Sequence, residues 1–300
     1  MTNRQSGERL DDGSKITLIS VVTVCLNVRS TIEETLRSVC EQDFPCIEHV
    51  LIDGGSTDGT IEIIKASNPD YFISETDEGI YYAMQKGADA ASGDIVYFLN
   101  SGDTFYDKNV ITDVVDFFNK TGSDAVFGNL LPCYLRHGDT HDHEAFRNQR
   151  MLDLSYFNNR KLFFDESIHH QTIFYRKGIF NHCGFICDNT DANGEYHLNM
   201  CAFVGHGYSI KHLPRTICRF ALGGKSTSNF SKEWERYTLA RDILREIYFP
   251  SGPDINASSE NEYLYYPPSL KNRLKILLRR PWFLNARRII TRMFSKASSS

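Results

Sequence analysis

The 300-residue chain has no apolar run long enough to cross a bilayer; the longest, Ile16 to Leu26, is short and rich in Ser and Thr. It also lacks a GxGxxG loop or a Walker lysine motif after its first strand-like segment. That excludes ordinary dinucleotide dehydrogenases and nucleoside triphosphatases. The opening stretch, MTNRQSGERLDDGSK, has neither the apolar centre of a signal peptide nor the acid-poor composition of a transit peptide. Residues 1–17 are therefore expected to form a disordered leader. Without an export signal the eight cysteines are expected to stay reduced, with Cys25 and Cys40 buried at apolar positions.

Acidic side chains are missing from one end. Between Ser269 and Ser300 there are nine Lys or Arg and no Asp or Glu, so the remainder carries 24 basic against 38 acidic residues. An acidic body does not suit a nucleic-acid groove, whereas a basic tail suits an anionic membrane surface. With 41% hydrophobic and 24% charged residues the chain is of ordinary globular type, one large domain or a domain with appendages.

The first half alternates two periods. Ile19 to Leu26 reads as a strand, and Ser30-Thr-Ile-Glu33 has the form of a capping box opening a helix from Thr31 to about Gln42. Ile47 to Asp53 is a second strand, and GGSTDGT turns into a helix ending near Ala66, with Asp58 as its cap. Tyr71 to Glu75 is a third strand, followed by a helix over Gly79–Ala91. Ile95 to Leu99 is apolar without interruption, as in a strand buried on both faces. A helix over Asn109–Asn119 and a strand over Ala125–Gly128 follow. This βα rhythm predicts an α/β fold with a mainly parallel sheet flanked by helices.

In open parallel sheets ligands bind beyond the carboxyl ends of the strands. Asn27, Asp53, Glu75, Asp77 and Asp103 all fall at such ends. Any one of them alone reads as a turn residue or helix cap. Repeated at successive strands, they suit an oxygen-ligated Mg2+ or Mn2+ that takes its remaining ligands from substrate phosphates.

The stretches SVVTVCLNVRSTIEETLRSV, HVLIDGGSTDGT and SETDEGIYYAMQKGADAASGDIVYFLNSGD resemble the family-2 glycosyltransferases of the GT-A (Rossmann-like) fold, especially those that build bacterial polysaccharides and lipopolysaccharides. The resemblance implies that Asp53 contacts the base or ribose of a nucleotide-sugar, and that Asn27, Glu75, Asp77, Lys86 and Ser101 belong to the donor site. It places Asn100-Ser-Gly-Asp103 at the acidic metal-binding motif, with Asp103 and Asn100 as ligands of Mn2+ or Mg2+. Two of the acids frequent in that motif are Asn100 and Gly102 here, which bears on metal affinity.

Beyond residue 130 the resemblance is looser. It implies that His170 and Gln171, in a strand opening at His169, flank the acceptor. Glu195, at the start of a helix, would be the catalytic base, with Asp191 in reserve; a first-turn helix acid is the alternative reading of Glu195. Ala221-Leu-Gly-Gly-Lys-Ser226 resembles a loop beside the donor phosphates, in which Lys225 would offset charge on the leaving group. The histidine-rich stretch 136–143 reads as a loop. His182-Cys183-x3-Cys187 with His197-x3-Cys201 has the spacing of structural zinc, yet its apolar neighbours read as core thiols.

Residues 269–296 combine helical apolar spacing with interleaved Lys and Arg, as in a basic amphipathic helix lying in a membrane interface or packed on its own domain. The expected organisation is a leader 1–17, a glycosyltransferase domain 18–250 with a nucleotide-sugar half (18–130) and an acceptor half (131–250), and a linker with helical tail, 251–300. The implied activity is inverting transfer of a sugar to a hydroxyl of a glycan or lipid-linked saccharide, at the cytoplasmic face of the membrane. The rivals are a catalytically weak glycan-binding scaffold and a nucleotidyltransferase.

Overall fold

Ile19–Cys25 forms β1, buried along all seven residues, and the sheet is built outward from it. In the computed structural model residues 18–134, 151–157, 163, 167–185, 194–222, 241, 242, 244 and 245 are described. The leader, the 136–143 loop, Cys187, Asp191, Lys225 and the 269–296 tail lie outside them.

β1 pairs in parallel with β2 (Ile47–Asp53) on one side and β4 (Ile95–Phe98) on the other, and β2 pairs in parallel with β3 (Tyr71–Ser74). Helices α1 (Ile32–Cys40), α2 (Thr60–Ser67) and α3 (Ile80–Ala90) make the crossovers. The uninterrupted apolar run of β4 is explained by burial on two sides. Val96 and Phe98 join the core under α3, and Ile95, Tyr97 and Leu99 join the core that includes Val110, Val114 and Phe118 of α4 (Val110–Thr121).

The second half departs from simple alternation. β6 (Ala125–Tyr134) is longer than expected, and β7 (Ile173–Arg176) lies between β4 and β6, antiparallel to both. The strand expected from His169 begins only at Ile173, because His170–Thr172 forms a 3-10 turn. The ring of Phe174 in β7 stacks on that of Tyr97 in β4 at 4.1 Å between centroids. β8 (Ile210–Leu222) runs parallel to β6, and short β5 (Thr104–Phe105) closes the edge. The order is β3-β2-β1-β4-β7-β6-β8-β5, a mixed sheet whose first four strands are parallel. β8 escapes recognition in the sequence because Pro214 lies inside it, where its register on β6 jumps from His212–Phe127 to Thr216–Asn129.

Two local expectations are corrected. The Ser30–Glu33 capping box does not form: the N-cap is Thr31, without a side-chain cap bond. Loop-to-loop bonds hold the start of this helix instead, including Val28 N–H to Thr60 Oγ1 at 2.9 Å. Cys25 is buried as expected, whereas Cys40 is exposed at the end of α1.

Two glycines allow close approach where it matters. A Cβ on Gly87 of α3 would stand 2.2 Å from Val22 Cγ1, so only glycine lets α3 lie this close to β1. A Cβ on Gly194 would stand 2.4 Å from the Tyr81 ring. That contact seats α5 (Gly194–Asn199), continued by a π-helical turn Met200–Gly205, against α3.

Candidate functional site

The strand registers bring the carboxyl ends of the first four strands to one rim. Cys25 pairs with Asp53, Asp53 with Ser74, and β4 continues past Phe98, with Ser101 N–H reaching Val24 O at 3.4 Å. Asn27, Asp53, Glu75, Asp77 and the Asn100–Asp103 turn therefore follow neighbouring strand ends.

The β1 and β2 loops are laced together. Asn27, in the left-handed region at φ 53°, donates its N–H to Ser56 Oγ at 2.7 Å and accepts Thr57 N–H on Oδ1 at 2.9 Å. Asp58 accepts the N–H groups of Arg29 and Thr60, each at 3.0 Å, and so ties the β1 loop to the start of α2. It stands one residue before the cap position expected of it, which Gly59 occupies without a side-chain cap bond. Asp53 is the floor of this loop. Its Oδ2 accepts Gly55 N–H (3.0 Å), Ser56 N–H (2.9 Å) and Ser74 O–H (2.6 Å), and its Oδ1 accepts Ser56 O–H (2.5 Å).

Asp53 has 0% exposure. Burial pushes its carboxyl up, but the bonds from Ser56, Ser74 and Gly55 outweigh that and hold it below the usual carboxylate range. A depressed carboxyl contributes stability that is complete above the unfolded pKa of about 3.9 and is lost as pH falls through the folded value. Asp53→Asn should therefore lower stability at neutral pH by about 1–3 kcal/mol, since an amide NH2 opposes these donors. The loss should shrink below about pH 4, as followed by denaturant unfolding at several pH values.

At the end of β3, Lys86 from α3 bonds to Asp77 and lies 2.6 Å from Glu75 Oε1. Burial lowers the Lys86 pKa, but the bonds to Asp77 and Glu75 raise it further, so it stays charged. Asp77 Oδ2 is buried and unpaired.

The third group joins residues far apart in the chain. Asp103 is 3% exposed; its Oδ1 accepts Ala221 N–H at 2.8 Å and its Oδ2 accepts Gln171 Nε2–H at 3.0 Å. Burial pushes its carboxyl up to about 7 against these two bonds and the nearby His170. His170 bonds through Nδ1 to Glu195 Oε2 and through Nε2 to Asn100 Nδ2 at 2.8 Å. Burial raises the Glu195 carboxyl, and the His170 contacts outweigh this to bring it below the usual range. Asn100 Oδ1, Ser101 Oγ and Gln171 Oε1 are buried without a partner.

Of the residues singled out in the sequence, Asn100, Ser101, Asp103, His170, Gln171 and Glu195 thus meet in one cluster. Asn27 and Asp53 share the neighbouring loop, and Glu75 joins it through its N–H to Asp53 O at 2.9 Å. Two supporting residues escaped notice. Thr35, a hydroxyl on the core stripe of α1, accepts Gly102 N–H at 3.0 Å and donates to Asp103 O at 2.8 Å. Tyr97 donates its hydroxyl to Gln171 O at 2.6 Å. A polar side chain inside an apolar stripe was the available signal in both.

The zinc reading of the Cys–His spacing finds no group of ligands: among the described residues no three or more His, Cys, Asp or Glu are gathered to hold a metal. His197 instead bonds to Gly184 O at 3.0 Å and Cys201 Sγ at 3.3 Å. No helix among the described residues is long and apolar enough to cross a membrane.

Residues 20–184 match the model of the family described as glycosyl transferase family 2. A PGL/p-HBAD biosynthesis glycosyltransferase of Mycobacterium bovis is 28% identical over 224 residues, 72% of this chain and 82% of that protein. A glycosyltransferase of Haloferax volcanii is 26% identical over 66% of this chain and 64% of its own length. Among solved structures, Staphylococcus aureus TarS in complex with UDP-GlcNAc has a TM-score of 0.58 at 19% identity, over 76% of this chain and 66% of that one. The chain thus spans just under two thirds of that TarS structure. A mannosyltransferase from Pyrobaculum calidifontis, in complex with GDP-Man and Mn2+, has a TM-score of 0.57 at 18% identity, over 99% of this chain and 80% of that one. The structural likenesses establish a GT-A-like fold.

Proposed function

Because the chain belongs to glycosyl transferase family 2, we propose that it moves a sugar from a nucleotide-sugar to a hydroxyl of a glycan or lipid-linked saccharide, with inversion at the anomeric carbon. The observation that carries this reading is the meeting of Glu195, His170, Gln171 and the Asn100–Asp103 turn beside the Asp53 loop.

In this mechanism Glu195 takes the acceptor's proton. The His170 contacts that bring its carboxyl below the usual range keep it ionised at neutral pH. With Oε2 spent on His170, Oε1 is the atom assigned to the acceptor hydroxyl. The laced Asn27–Asp53–Ser56 loop receives the base and ribose. Asp53 has no exposed surface, so it acts by shaping that loop. Lys86, fixed by Glu75 and Asp77, and Ser101 are assigned to the donor; Gln171 and His170 lie on the acceptor side. Asp191 and Lys225 keep their assignments as reserve base and leaving-group cation.

The residues present fit a divalent cation. Asn100 Oδ1 and Ser101 Oγ are buried oxygens without a partner, in the same turn as the Asp103 carboxylate, and oxygen donors are what Mg2+ or Mn2+ takes. Asp103 and Asn100 would hold it. Once bound, the ion would act as a Lewis acid on the departing nucleoside diphosphate.

The test is thermal stabilisation by UDP-, GDP- and dTDP-sugars with and without Mn2+, followed by release of nucleoside diphosphate when acceptor is added. One donor at 100 times its Kd should stabilise the protein by about 2.7 kcal/mol. No stabilisation by any of them would overturn the reading. The tail 269–296 is assigned to peripheral attachment at the cytoplasmic membrane face. Deleting 269–300 should abolish co-sedimentation with anionic vesicles and leave binding to neutral vesicles unchanged; equal binding by the shortened chain would refute this.

A further inference from the structure

Glu195 Oε2 faces two groups of His170: the backbone N–H at 3.3 Å, and ring Nδ1 in a direct hydrogen bond. An ionised carboxylate has no proton to give, so the proton of this second bond belongs to Nδ1. The ring that fits both of its contacts therefore carries its one proton on Nδ1 and a bare lone pair on Nε2. Its partner, 2.8 Å away, is Asn100 Nδ2, which can only donate. The chain of bonds therefore has one direction: Asn100 gives to His170 and His170 gives to Glu195. Turning the Asn100 amide over would set Oδ1 against the bare nitrogen, acceptor against acceptor. The opposite end of the amide is consequently Oδ1, which is buried and has no partner.

We infer that His170 is a positioning residue that selects which end of the Asn100 amide serves the donor side of the site, with Glu195 fixing the ring tautomer that makes the choice. The inference rests on the nucleotide-sugar reading above for the identity of what Oδ1 meets: a cation held on a diphosphate. Partners that orient a ligand from behind commonly change metal affinity 10- to 100-fold. The link spans the two halves of the site. Asn100 follows β4 and Glu195 opens α5, and His170 lies 8% exposed between them.

The ring is read first, by long-range proton–nitrogen NMR on the full chain labelled with 15N-histidine. Loss of the His170 signals in a His170→Gln variant assigns them. The inference expects a proton on Nδ1 and none on Nε2. A proton on Nε2, or on both nitrogens, overturns it. Mn2+ binding in the presence of UDP is read next, from the free Mn2+ signal in electron paramagnetic resonance. His170→Ala should weaken it about 10-fold or more. His170→Gln should recover most of the loss, because Gln Oε1 can accept from Asn100 Nδ2. Unchanged Mn2+ affinity in a folded His170→Ala protein overturns the inference, as does a His170→Gln protein no better than His170→Ala. If His170→Ala fails to fold, the ring proton and the His170→Gln affinity decide. The tautomer is measured without metal or donor. Failure of the unaltered protein to bind Mn2+ would therefore count against the cation, while an Nδ1–H ring would still uphold the positioning role.

Discussion

Glu195→Gln should reduce turnover by about 10²–10⁴-fold and leave donor affinity unchanged. The two effects separate because the replacement keeps the architecture. Glutamine Oε1 can still accept the His170 ring and backbone N–H groups that Glu195 Oε2 now accepts, so the chain through His170 to Asn100 survives. What is lost is a group able to take a proton. Single-turnover measurement of sugar transfer, with thermal shift by the donor as the control, reads both quantities. Turnover within a few-fold of the original protein would remove Glu195 as the base. Asp191 would then become the residue to replace.

Asp103→Ala is expected to abolish transfer and weaken donor binding, but part of that effect is structural. Removing the carboxylate strands the Ala221 N–H and the Gln171 amide in a buried place, at about 1–3 kcal/mol for each unpaired group. Asp103→Asn separates fold from function. An amide there can accept Ala221 N–H on its oxygen and donate from its nitrogen to Gln171, provided that the Gln171 amide turns over. Gln171 Oε1 is buried and unpaired, so turning the amide exchanges an unpaired oxygen for an unpaired NH2 and leaves the number of unsatisfied buried atoms unchanged. The expected result is near-normal stability, with Mn2+-supported donor affinity reduced about 10- to 100-fold. Full donor affinity in a stable Asp103→Asn protein would show that no cation depends on this carboxylate.

The sheet was legible wherever burial imposed a simple pattern. β4 read correctly because a continuous apolar run has few uses other than a strand covered on both faces, and β1 because its β-branched residues favour a strand. The rim followed from the same reading, since parallel strands must end on one side. β8 was missed because its intermediate burial blurs alternation and Pro214 breaks its register. The burial of Asp53 was likewise invisible. A carboxylate before a glycine-rich turn looks the same whether it faces a ligand or its own loop amides.

The amino-acid order alone therefore determined the parallel βα half, the row of polar residues at its carboxyl edge and the family resemblance, because each depends on short-range periodicity or contiguous motifs. Only the tertiary structure decided that β7 enters between β4 and β6, and that His170, 70 residues from Asn100, becomes its hydrogen-bond partner. The reason is physical: a period of two or of 3.6 residues is written along the chain, whereas the direction of a hydrogen bond is decided by which groups meet when distant segments fold together.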